Sequence, residues 1–162
     1  MNAKVAAFLS KHNFVNHVDV KMTAEGLLSD MRAGLKGEKA DEDMKQGKVT
    51  FLAGGTGKPF YTTDTAATLR AIELNCEAIL MGKNGVSGVF SSDPTKDSSA
   101  KFFKEITFQQ MIDLNLQIMD LSAIQLIKDK DIEIRVFSMS NAENFVKVVS
   151  GDDIGTVCKK GE

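Results

Sequence analysis

Hydrophobic and polar positions along this chain switch repeatedly between the period of a helix and that of a strand. Val5, Phe8, Leu9 and His12 fall at helical spacing and predict an amphipathic helix over residues 2–12, starting almost at the first residue. In HVDVKM, residues 17–22, Val18, Val20 and Met22 alternate with Asp19 and Lys21, the pattern of a half-buried strand. Residues 25–48 are charged and broken by glycines, which predicts an interrupted helical connection, helical again from about Ala40. KVTFLA (48–53) is a buried-strand run. A helix follows over 65–75, with Leu69, Ile72 and Cys76 in one stripe, and then an apolar strand, AILM (78–81). Helices are predicted over 107–116 and 120–129, a strand at IEIRVF (132–137), a helix over 141–149 and a last short strand, GTVC (155–158). Strands alternating with helices predict an α/β domain with a largely parallel sheet covered on both faces.

Two loops sit where such a sheet binds ligands, beyond the carboxyl ends of strands, because unpaired backbone N–H groups and the helix dipole favour an anion there. The first is AGGTGKPFYTTD, residues 53–64. Gly54, Gly55 and Gly57 permit close backbone approach, while Thr56, Thr62 and Thr63 offer hydroxyls, with Asp64 expected to cap the helix. A phosphate cradle and a plain tight turn before a capped helix both satisfy this spacing. A P-loop does not: Leu52 stands five places before Gly57, and Pro59 follows Lys58 where Ser or Thr is required. GxGxxG spacing is absent as well. The second loop is KNGVSGVFSSDP, residues 83–94, where Phe90 offers a flat apolar face and Asp93 precedes Pro94 in an extended or turn conformation. Each feature alone is more often a core aromatic or a plain turn; two loops on one sheet edge would make a nucleotide site.

Composition narrows the classes. At 162 residues and 43% hydrophobic content the chain suits a single domain with its own core. Its net charge is −2 and its cations are scattered, which argues against nucleic acid as a partner. No apolar run approaches the roughly 20 residues of a membrane helix. Cys76 and Cys158 match neither CxxC nor a disulfide framework, so a reducing, cytoplasmic setting is expected. His12 and His17 lie on different elements and suggest no metal site.

From about residue 48 onward, four long strings resemble bacterial uridylate (UMP) kinases of the amino-acid kinase superfamily. AGGTGKPFYTTDTAATLRA is similar to AGGTGNPFFTTDTAAALRA, and ILMGKNGVSGVFSSDP to ILMAKNxVDGVYxxDP. LQIMDLSAIQLIKDKDIEIRVFSM and VVSGDDIGTVC continue the likeness to the end. The resemblance implies a three-layer α/β/α sandwich with a mainly parallel sheet and, across residues 1–162, a partial amino-acid-kinase domain whose N-terminal half is missing. It implies a UMP-binding loop over 54–64 and an ATP-binding part over 78–162. By position, Thr56, Gly57, Lys58, Pro59, Phe60, Tyr61, Thr62 and Thr63 match the UMP loop; Asn84, Phe90 and Asp93 match ATP contacts; Asp64 and Asp120 match acidic positions near the reacting phosphates. The implied activity is transfer of the γ-phosphoryl of ATP to UMP in pyrimidine nucleotide biosynthesis, with Mg2+ accompanying ATP and assembly as a homo-oligomer, a hexamer in the family.

The likeness also has gaps. The KLSG and GGGN strings of the family's first half do not occur, and Lys58, Ser87 and Ser138 replace an Asn, an Asp and an Asn of the family pattern. A poorly active, truncated kinase is therefore expected. The rival is a non-catalytic nucleotide-binding remnant or an oligomer partner of a full-length kinase. A superfamily kinase acting on a carboxylate or carbamate fits less well, because of the TTDTAA and MDL strings.

Overall fold

A computed structural model describes residues 38–47, 52, 55, 56 and 58–161. The expected helix over 2–12 and strand over 17–22 lie outside these residues, as does the strand over 48–53 apart from Leu52. The chain divides into two compact units, Met1–Phe60 and Tyr61–Glu162. In the first, helix α1 spans Glu38–Lys45, where helical character was expected from about Ala40, and Lys45 pairs with Asp41 one turn back at 2.7 Å.

The second unit runs α2 (Thr63–Glu73), β1 (Ala78–Lys83), β2 (Val89–Phe90), β3 (Phe102–Phe103), β4 (Glu105–Thr107), α3 (Phe108–Asp113), α4 (Leu121–Ile127), β5 (Glu133–Ser138), α5 (Glu143–Val149) and β6 (Thr156–Lys159). Every element predicted from residue 65 onward is present, with ends shifted by at most three residues. Two features were not predicted: the β2–β3 hairpin and β4, whose two- and three-residue strands are too short to show a period.

The four-stranded sheet has the order β1-β5-β6-β4. β1 runs parallel to β5 and β4 parallel to β6, whereas β6 is antiparallel to β5. Mainly parallel pairing is thus observed, with one reversal where the chain turns tightly from α5 into β6. Gly155 makes that reversal possible. Its φ is +75°, and a Cβ there would stand 2.1 Å from the Val136 carbonyl oxygen.

Apolar burial concentrates on β5 and on the helices packed beside it. Ile134 and Val136 alternate inward on β5 and join Val89, Ile106, Phe108, Met111, Ile124 and Ile127 in one cluster. Cys158, on β6, belongs to this cluster, and burial pushes its thiol up to about 12, so it is an inert packing group. On α2 the expected stripe of Leu69, Ile72 and Cys76 is only half-buried; the fully covered positions include Thr65, Thr68 and Ala71. Small side chains there let α2 lie close against α4.

One buried hydroxyl ties the hairpin to the sheet. Thr156 accepts a hydrogen bond from Val89 N at 2.8 Å and donates one to the Phe103 carbonyl at 2.5 Å. Among the described residues no helix is long and apolar enough to cross a membrane.

Two of the buried threonines, Thr156 and Thr68, make a test by contrast. Thr156→Val strands the Val89 N–H and is expected to cost about 2 kcal/mol in urea denaturation. Thr68→Val replaces a hydroxyl that has no partner among the described residues and should leave the midpoint unchanged or raise it.

Candidate active site

The candidate site is built on the carboxyl ends of β1 and β5. Lys83 and Ser138 are register partners, so the two parallel strands finish level, and Met139 N extends the pairing to the Lys83 carbonyl at 2.8 Å. Gly82 accommodates the Met139 side chain, which would meet a Cβ there at 2.1 Å. Beyond this edge lies an open cleft of about 480 Å3, lined by Asp64, Lys83, Asp120 and residues of α3, α4 and the loop joining them. Its floor is apolar, from Met111, Ile118 and Ile124, and its rim is polar, from Asn115, Gln117 and the three charged groups.

Asp64 reaches the cleft from the first turn of α2. It is not the helix cap, as expected from sequence; that role belongs to Thr62, whose hydroxyl accepts from Thr65 N at 3.2 Å. Asp64 stands two positions beyond that cap and lines the cleft.

Asp120 caps α4, and its carboxylate links two helix starts. It accepts from Ala123 N at 2.8 Å, from the Ser122 hydroxyl, and across to α2 from the hydroxyls of Thr62 and Thr65. Partial burial pushes its pKa up, but the hydrogen bonds from Ser122, Thr62, Ala123 and Thr65 outweigh that and hold it at about 2. With both oxygens so engaged, Asp120 acts chiefly as a bracket that positions Thr62. The structure therefore brings Thr62, Asp64 and Asp120 together, although 56 residues of chain separate Asp64 from Asp120.

The remaining loop residues divide between the two units. Before the boundary, Thr56 closes a small turn, accepting from Lys58 N at 3.2 Å, and Gly55 has φ +61°. Phe60 is fully exposed at φ +68°, a conformation costly for an aromatic residue and common where a loop is shaped for a ligand. Lys58 and Pro59 are exposed, while Gly54 and Gly57 lie outside the described residues. After the boundary, Tyr61, Thr62 and Thr63 are exposed.

On the second loop Asn84 is exposed directly after β1. Phe90 is half-buried on β2, edge-to-face with Phe102 at a ring-centroid distance of 5.2 Å. Asp93 closes a turn, accepting from the Thr95 hydroxyl at 2.6 Å and from Thr95 N at 2.9 Å, and these bonds lower its pKa. Asp97 repeats the device through Ser92 and Ser99. Lys83 was missed in the sequence; its signal was a lysine ending an otherwise apolar strand.

The amino acid kinase family profile matches residues 1–138. The chain belongs to this family. A uridylate kinase of Limosilactobacillus reuteri is 46% identical over 118 residues, covering 73% of this chain and 49% of the relative. One from Psychromonas ingrahamii is 41% identical over 147 residues, 91% of this chain and 59% of the relative. The crystal structure of UMP kinase from Bacillus anthracis superposes with a TM-score of 0.74 at 34% identity, covering 77% of this chain and 51% of that one. UMP kinase from Ureaplasma parvum gives 0.71 at 34% identity, over 76% and 53%. The fold is thus the three-layer α/β/α arrangement of these kinases, and the chain spans about half the length of the relatives it matches.

The Asp120 bracket makes its contribution in the ionised form. Its pKa is depressed in the folded state, so the stabilisation is complete above the unfolded value near 4 and is lost as pH falls towards about 2. Asp120→Ala is expected to lower stability by about 1 kcal/mol at pH 7 through loss of the cap. Urea midpoints of variant and wild type should converge between pH 4 and pH 2; a pH-independent gap would contradict the bracket.

Proposed function

We propose that this chain carries the nucleotide-binding part of a uridylate kinase, which transfers the γ-phosphoryl of ATP to UMP in the cytoplasm. The observation carrying the reading is convergence. Asp64, directly after the Thr62-Thr63 pair of the first loop, and Lys83, directly before Asn84 of the second, line the same cleft.

In this reading Thr56 to Thr63 hold UMP, with hydroxyls and main-chain N–H groups meeting its phosphate. Asn84, Phe90 and Asp93 hold ATP, Phe90 giving the base an apolar face. A UMP phosphate oxygen attacks the γ-phosphorus, the bond to the β–γ bridging oxygen breaks, and UDP and ADP leave. Such chemistry needs no protein nucleophile, only alignment of two anions and neutralisation of their charge. Mg2+ fits the residues present. Among the described residues no cluster of three ligating side chains exists, and magnesium in kinases is commonly held by one or two carboxylates with the substrate phosphates. Asp64 is the carboxylate available for it, Asp120 being committed to its hydrogen bonds. When bound, the ion screens phosphate charge.

A homo-oligomer belongs to the same reading, as does dependence on further residues. The second reading is a nucleotide-binding protein or oligomer partner without its own activity. A coupled assay for UDP separates the two. The chain alone should turn over at least about a hundredfold more slowly than a chain supplied with the complementary half of a relative, the loss expected for missing phosphate donors. Calorimetry should detect UMP binding in both cases, weakened about tenfold by Thr63→Ala. No UMP binding by the wild-type chain would refute the site.

A further inference from the structure

Among the described residues, Lys83 is the sole cation lining the cleft. Two parallel strands that end level fix its backbone, and its carbonyl is held by Met139 N at 2.8 Å. Gly82 before it leaves room for the Met139 side chain, and Asn84 after it begins the second loop. The side chain is half-buried, yet among the described residues it makes no ion pair, although two carboxylates line the same cleft. One of them, Asp120, has its oxygens occupied by three hydroxyls and a backbone N–H. A lysine that lines the cleft and, among the described residues, pairs with neither of its carboxylates is suited to a ligand anion.

We propose that Lys83 contacts the phosphoryl group being transferred, as the cleft's own counter-charge to the terminal phosphate of ATP. This assignment rests on the nucleotide site proposed above and adds to it the first residue of the second loop. Lys83 lines the same cleft as Asp64, on the acceptor side, and directly precedes Asn84, on the donor side. It differs from a solvated surface lysine in one measurable respect: its effect follows the third phosphate of the nucleotide.

The test is calorimetric titration of the full chain with a non-hydrolysable ATP analogue, with ADP and with UMP, each with magnesium, using wild type, Lys83→Met and Lys83→Arg. Circular dichroism verifies that each variant is folded. Lys83→Met should weaken the ATP analogue about tenfold and change ADP and UMP less than about twofold. Lys83→Arg, which keeps the charge, should restore most of the loss. Equal weakening of ATP analogue and ADP, or no weakening of either, overturns the assignment of Lys83 while leaving the nucleotide site standing. Failure of the wild-type chain to bind UMP and the ATP analogue overturns both.

Discussion

A single carboxylate holds the cleft in shape. Asp120 must cap its own short helix and also hold the hydroxyls that begin α2, so the starts of two helices distant in sequence are fixed to one another. The cleft is arranged around that bracket: Asp64 in the first turn of α2, the exposed Thr62-Thr63 pair before it, and the apolar floor supplied by α3 and α4. A helix of seven residues has little stability of its own, and α4 draws its order from this cap and from Ile124 and Ile127 in the core.

The sheet supplies the second constraint. Level ends of β1 and β5 give a flat rim at Lys83 and Ser138, while the antiparallel β6 returns the chain beneath the hairpin that carries Phe90. Core residues on β5 therefore do two things at once. They bury the sheet, and they set the height at which the loops emerge. Ser138, which replaces an amide of the family pattern, has its hydroxyl donating to Ser140 and its carbonyl accepting from Asn144, so this rim is braced by local hydrogen bonds.

Much of this was legible in the sequence, and the parts that were not share a cause. Elements with several periods of apolar spacing, such as β1, β5 and α4, were found within a few residues, because burial imposes the pattern directly. β2, β3 and β4 were invisible, since two or three residues cannot display alternation. The half-burial of Leu69 and Ile72 and the full burial of Thr65 and Thr68 also escaped. Composition favours the larger apolar groups for a core stripe, whereas close approach of two helices favours small ones. At the site, the TTD string announced a cap but not which residue performs it. Asp120 and Asp64 were named through the family likeness, whereas Asp120's link to Thr62 is a long-range contact that no local pattern encodes. Lys83 was hidden by its place at the end of an apolar run.

The hairpin hung on Thr156 has a consequence for how the molecule loosens with heat. β2 and β3 pair through only two residues each, and the buried hydroxyl that spans them grips both strands from β6. This ribbon has too few backbone bonds to persist unaided, so warming should peel it away as a local opening while the four-stranded sheet remains closed. The face of Phe90 would then be withdrawn at temperatures where the rim at Lys83 and Ser138 is still intact.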